Sequence, residues 1–273
     1  MKKSSGFSLV ELSIVLVILG LLVGGILAGR SLIRAAELRG ITTEYTRYYT
    51  TVHAFQNKYF ARPGDFYNAT RFWSTDSAPA SCTTNSSAPL SANGVCDGNG
   101  DNILTYGGSN TINIATEVFQ FWRHLEKSGM IEGTYTGVTY MADDKAAAIG
   151  VSVPGSKYPG AGWGVMRSNA GAAENITQAF TLPRGYPENF FVLGKEITLK
   201  PPQDAVLKPE EAWNIDTKVD DGKPGQGNLL AFSRANWGNS ASCTNGADTN
   251  DLTTDYRVSS QNVGCALFFI KLF

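Results

Sequence analysis

The sequence is short of the residues that carry acid–base and metal chemistry. It holds two histidines, His53 and His124, in 273 residues, and neither falls in an H-E-x-x-H pair. No G-x-S-x-G elbow, Walker loop or dinucleotide fingerprint occurs. The familiar hydrolase, NTPase and dehydrogenase signatures are therefore missing, and each histidine reads as a packed or surface side chain. C-x-x-C is also lacking, which argues against thioredoxin chemistry and zinc knuckles. An excess of one charge is missing too. The net charge is −1, so no overall basic field steers nucleic acid, and no nucleic-acid partner is expected. There is no internal repeat.

What is present begins with four cysteines, Cys82, Cys96, Cys243 and Cys265, an even set in two close-spaced couples. Such a set reads as disulfides in an oxidising compartment. Of the three possible connectivities, the sequential one closes the shortest loops. Cys82 is therefore expected with Cys96, and Cys243 with Cys265.

The longest apolar run lies at the amino terminus. From Phe7 to Gly29 the only charged side chain is Glu11. A helix of that length, rising ~1.5 Å per residue, crosses a hydrocarbon core of ~30 Å. A secretory signal peptide places its small-residue cleavage site after the apolar stretch. Here "MKKSSG" puts a short basic leader and Gly6 ahead of it, and Glu11 is the fifth residue counted from Phe7.

Leader, glycine, aromatic residue, carboxylate and apolar run in this register resemble the class III signal of type IV pilins and type II secretion pseudopilins. The resemblance is carried by Gly6, Phe7, Ser8, Leu9, Val10 and Glu11 and is specific over roughly the first 60 residues. It implies that a membrane prepilin peptidase cuts between Gly6 and Phe7 and methylates the new amine. It also implies single-pass storage in the bacterial inner membrane with a periplasmic domain, and an inner-membrane assembly platform as partner. The subunit would then join like or related subunits in a filament, on the cell surface or in the periplasm. The resemblance also gives Glu11 a reason to be there. A carboxylate in a membrane helix costs roughly 2.5 to 3.5 kcal/mol, and a neighbouring subunit's Phe7 amine would neutralise it. Charge flanks do not orient the helix, since Lys2 and Lys3 on one side face Arg30, Arg34 and Arg39 on the other. The motif and the cysteines place the amino terminus in the cytoplasm. Gly20, Gly24, Gly25 and Gly29 give small-xxx-small spacings suited to close helix contact.

Beyond the membrane run, Leu38, Ile41, Tyr45, Tyr48, Val52, Phe55 and Tyr59 recur at steps of three and four, with Glu44, Arg47, Gln56 and Lys58 among the polar positions. Gly40 is a weak point, and "ARPGD" supplies a stop. One helix is expected over 7–61, with 1–6 a leader, 7–29 transmembrane, 30–61 amphipathic and 62–273 a globular domain. A second helix is expected from about Asn113, as cap, to Ser128, and a third at "KPEEAWNIDTKV". Strand candidates are "TYTGVTYM", "AIGVSV", "GWGVMR", "FFVLGKEITL", "NLLAFS" and "CALFFIKLF". The fold class is α+β, pilin-like: a long membrane and amphipathic helix packed on an antiparallel sheet, with loop-rich insertions, chiefly 74–102.

Calcium is the one cofactor that the residues suggest. "DGNGDN" sets Asp97, Asn99 and Asp101 at positions one, three and five of a calcium loop, but Asn102 and Gly108 stand where an EF-hand needs glycine and glutamate. A solvated Asx-rich turn reads the same residues. "DTKVDDG", with Asp216, Asp220 and Asp221, is a second acidic group that reads as a helix end with a stop at Gly222. The tryptophans, Trp73, Trp122, Trp163, Trp213 and Trp237, could stack on sugars but read better as core. The expectation is a non-enzymatic filament subunit. The alternative is a binding module at a filament tip, an adhesin or a recogniser of secreted substrate.

Overall fold

The computed structural model describes residues 6, 8–73, 82, 94–105, 116–138, 147–167, 189–197, 200–232, 242–246 and 253–270. Phe7, Asn113, Trp237 and most of 74–102 lie outside the described residues.

Helix α1 spans Leu9–Tyr59, 51 residues. Phe60 ends it in a left-handed conformation, φ 53°, with its N–H returning to the Gln56 carbonyl at 2.8 Å. The helix runs through Gly40 unbroken, and Lys157 Cβ would lie 3.5 Å from a side chain there. Past α1 the chain reverses at Gly64, whose φ of +86° and crowding forbid a side chain: an added Cβ would sit 2.4 Å from the Glu117 carbonyl. The short helix α2 (Ala69–Trp73) follows, then α3 (Glu117–Lys127) and α4 (Pro209–Val219). Helix α3 starts later than the asparagine-capped expectation, because Thr116 is extended (φ −133°, ψ 153°) and is itself the N-cap.

The sheet is antiparallel and consists of β1 (Gly162–Arg167), β2 (Asn189–Ile197), β3 (Lys200–Asp204), β4 (Leu229–Phe232) and β5 (Ala266–Phe269), in the order β1-β2-β5-β4 with β3 paired to the far end of β2. Register is set by alternation. Phe191 pairs with Val165 on one side and Phe269 on the other, and Phe268 sits between Val192 and Leu230. Trp163, Val165, Phe191, Leu193, Leu229, Ala231, Leu267 and Phe269 therefore share the core that holds the spine. Met166, Phe190, Val192, Leu230, Phe232, Ala266 and Phe268 form a second buried layer on the other face. Burial on both faces explains why "FFVL", "LLAF" and "ALFF" are continuous apolar runs without polar alternation.

One strand expectation fails, and a second is only partly covered by the described residues. Residues 148–153 make a turn, with the N–H groups of Val151, Ser152 and Val153 converging on the Ala148 carbonyl and Gly150 at φ +82°. Residues 134–138 carry only a single bridge, at Val138, and 139–141 lie outside the described residues. Strand β3 was not expected, because Pro201 and Pro202 weaken a strand assignment. Among the described residues it forms ladder pairs with β2 alone, where missing N–H donors are tolerated.

The spine meets the sheet through its stripe. Ile41, Tyr48, Val52 and Phe55 are buried, while Leu38, Tyr45 and Tyr59 pack against the same core. Tyr45 stacks on Phe269 with ring centres 4.3 Å apart, and Tyr48 sits edge-on to Trp122 at 5.0 Å and Trp163 at 5.6 Å. Trp213 departs from the core expectation at 43% exposure.

Glu44 is not a solvent-facing member of the polar side. It is 6% exposed and accepts three hydrogen bonds, from Ser156 Oγ at 2.6 Å, Lys157 N at 2.7 Å and Trp163 Nε1 at 2.8 Å. A second polar clamp lies nearer the membrane run. Arg34 Nε donates to Glu211 at 2.5 Å, its guanidinium also reaches the Tyr158 hydroxyl, and its centre lies 4.4 Å over the Tyr158 ring. Burial is the largest single influence on Glu211 and works against its ionisation, but Arg34, the Lys208 amide and the Tyr158 hydroxyl together outweigh it and hold its carboxyl below the usual range.

Candidate functional site

The amino-terminal residues build a defined local structure. Ser8 is the N-cap of α1, with extended backbone, and Glu11 occupies the N3 position. The Glu11 amide donates to Ser8 Oγ at 3.2 Å, and the Ser8 amide donates to Glu11 Oε2 at 2.8 Å. This is a reciprocal capping box, which satisfies two backbone donors that a helix start leaves open. The sequence signal for it, S-x-x-E from Ser8 to Glu11, was present. Over the membrane-length run the helix is apolar on all sides and packs against none of the described residues: Leu9 is 86% exposed, and the most apolar window is 0% buried. A Cβ at Gly20, Gly24, Gly25 or Gly29 would meet no atom within 4 Å, so these positions are open for another helix. Gly6 is exposed, and Phe7 lies outside the described residues.

The profile of the prokaryotic N-terminal methylation motif matches residues 1–27. The chain carries the type IV pilin and pseudopilin signal motif. No curated protein and no solved structure matches the chain. The motif marks a pilin-like substrate of prepilin peptidase and implies assembly with pilin subunits. With the apolar helix it indicates membrane anchoring. It is the motif of a structural subunit.

The Asp97 loop is organised from outside itself. Asp97 accepts from Thr70 N at 2.8 Å and Thr70 Oγ1 at 2.9 Å, which fixes the loop to α2. Asn99 and Asp101 bond to each other, Asn99 Nδ2 donating to Asp101 at 2.8 Å and Asp101 N to Asn99 Oδ1 at 2.9 Å. Two buried carboxylates that the sequence reading passed over hold the loop backbone. Asp65 accepts from Gly100 N at 2.5 Å and Asn102 N at 2.7 Å, and Glu117 accepts from Asn99 N at 3.0 Å and Thr105 N at 2.7 Å. Burial raises both, Glu117 to about 7, although their amide donors pull the other way. No short motif would have disclosed them, since their partners lie 12 to 37 residues away.

Cys82 is bonded to Cys96, and Cys243 to Cys265. His124 lies beside the first bridge, fully buried. The Gly64 N–H donates to its Nδ1 at 2.9 Å, so the proton sits on Nε2, which faces the Cys96 carbonyl at 3.2 Å. Burial pushes its pKa down to about 3, which keeps the ring neutral. His53 packs edge-on to Tyr49, with centres 4.5 Å apart. The two histidines therefore serve packing and loop anchoring.

Proposed function

We propose that the chain is a filament subunit, cut between Gly6 and Phe7, held in the bacterial inner membrane by residues 7–29 and polymerised through α1. The observation that carries this reading is the motif in register with a helix whose membrane-length half is bare among the described residues while its other half is sunk in a folded domain. Such a surface is stable only in lipid or against like helices, and the open glycine positions suit the second. In the filament, Glu11 exchanges its local cap for the methylated Phe7 amine of a neighbour. The domain, with its paired disulfides, lies outside the membrane in the periplasm or at the cell surface.

The test is Glu11→Ala in cells with no wild-type copy. Removing a charge that is costly in lipid leaves insertion and cleavage intact. Assembly is lost, because each incoming subunit leaves a Phe7 amine unpaired at about 3 to 5 kcal/mol. The expected result is a processed chain beginning at Phe7 by mass spectrometry, normal membrane abundance, and few or no sheared filaments. Normal filament yield would overturn the shaft-subunit reading in favour of a tip-binding module.

A further inference from the structure

Asp216, Asp220 and Asp221 each bring a carboxylate oxygen within 4.8 Å of the others at the carboxyl end of α4. Asp216 is 0% exposed. Its Oδ2 accepts the Tyr256 hydroxyl at 2.7 Å, whereas its Oδ1 is buried without a hydrogen-bond partner. The Gly222 amide acts on this carboxylate from nearby but completes no hydrogen bond to Oδ1. Asp220 is fixed by the amides of Asn228 and of Leu229, the latter at 3.1 Å, and by Asn228 Nδ2 at 3.2 Å. Gly227, at φ +76°, makes that approach possible, since a Cβ there would fall 1.8 Å from Asp220 Oδ2. Asp221 accepts from Lys223 N at 2.8 Å.

Among the described residues, the two lysines nearest in sequence are engaged elsewhere. Lys223 Nζ lies 2.6 Å from Asp255, and Lys218 Nζ bonds Asn214. Three carboxylates thus converge at the negative end of a helix dipole, one of them with a buried oxygen that accepts no hydrogen bond among the described residues.

We propose that Asp216, Asp220 and Asp221 form a binding site for a hard divalent cation, calcium before magnesium. All three donors are carboxylate oxygens, which suit hard cations, and their irregular spacing suits the flexible coordination of calcium better than the strict octahedron of magnesium. An open cleft of about 410 Å³ reaches the cluster at Asp221, with Gly222 and Tyr256 also in its lining. A bound ion ties three parts of the domain together: the end of α4, the start of β4 through Asp220, and the Cys243–Cys265 loop through Tyr256. That loop is anchored by Arg257 N on the Cys243 carbonyl at 2.9 Å and by a bridge from Tyr256 to Thr244.

The experiment is terbium titration of the full chain in detergent, with Trp213 and Tyr256 as sensitisers and calcium and magnesium as competitors. The expected result is saturable terbium emission displaced by calcium, with affinity at least about tenfold weaker in Asp216→Asn and in Asp221→Asn but unchanged in Asp101→Asn. Asp221 is exposed, so Asp221→Asn decides the matter if Asp216→Asn loses its fold by circular dichroism. No saturable emission from the parent chain, emission indifferent to Asp221→Asn, or emission lost in Asp101→Asn would each overturn the proposal, the last by assigning the ion to the 97–101 loop.

Discussion

Glu44→Ala tests how the globular domain is held on the spine. The carboxylate is nearly inaccessible and receives one hydroxyl, one backbone amide and one indole N–H. Hydrogen bonds to a charged acceptor contribute about 1.5 to 3 kcal/mol each, offset by several kcal/mol for keeping a carboxylate out of water. The truncation is costlier than that balance, because it leaves donors behind. Ser156 Oγ can rotate to another acceptor, but Lys157 N and Trp163 Nε1 are fixed, and each stranded donor costs about 1 to 3 kcal/mol. Net destabilisation is therefore about 3 to 5 kcal/mol, and Glu44→Gln, which keeps the shape and one acceptor oxygen, should lose roughly half of that. For a domain of this size, 1 kcal/mol moves Tm by about 2 to 4 °C, so Glu44→Ala should melt about 6 to 20 °C lower. Tryptophan emission during thermal unfolding of the detergent-solubilised chain reads this directly, since Trp163 loses its acceptor. Arg34→Met is the control. Arg34 is 38% exposed and its ion pair is correspondingly screened, so its loss costs at most about 1 kcal/mol. A Tm for Glu44→Ala within about 2 °C of the parent would refute the assignment of Glu44 as the domain's polar anchor.

Two pH effects of opposite sign follow from the buried groups. His124 is held near 3 by burial, against about 6.5 unfolded, so the stability its neutral ring contributes is complete above about 6.5 and falls as pH drops toward 3, at about 1.4 kcal/mol per unit. Nitrogen chemical shifts should show the folded ring neutral, with its proton on Nε2, at pH 5; a folded-state midpoint near 6.5 would contradict its burial. Glu117, raised to about 7, keeps its proton when folded after the unfolded chain has lost it, so its contribution is full below about 4.5 and fades as pH rises to about 7. Urea unfolding should show Glu117→Gln gaining on the parent by about 1.4 kcal/mol per unit between those values, and parallel pH profiles would exclude the raised carboxyl.

Local rules exposed the features whose causes are local. The spine stripe was readable because a helix repeats its face every three or four residues, so Ile41, Tyr48, Val52 and Phe55 declare one another. Strands β1, β2, β4 and β5 declared themselves as apolar runs bounded by turn residues. What stayed hidden depends on distant partners. Glu44 sits between stripe positions and looks solvated until Ser156 and Trp163, 112 and 119 residues away, are brought to it. Asp65 and Glu117 likewise look like ordinary surface acids, and only the folded loop shows that they collect its amides. The Ala148–Val153 segment fails for a related reason: its alternation fits a strand, but Gly150 permits a turn and no flanking residue selects between them.

The capping box changes how Glu11 should be viewed before assembly. A bare carboxylate at that depth would bear the full insertion penalty, but here it accepts the Ser8 amide at 2.8 Å at a helix start, where negative charge is favoured. An N-cap interaction of this kind stabilises by about 0.5 to 2 kcal/mol, less than a buried ion pair loses when one partner is removed. On the proposed reading, cleavage after Gly6 then places a new positive charge at Phe7, beside the positive end of the same dipole, where it is unfavourable. That amine has reason to seek a carboxylate, and the local cap on Glu11 is weak enough to yield to it. On that reading the subunit in lipid rests on a bond within its own first turn, and a neighbour offering a stronger partner would displace it, so that the same residue would lower the cost of storage and drive incorporation, with no switch beyond the proximity of a second helix.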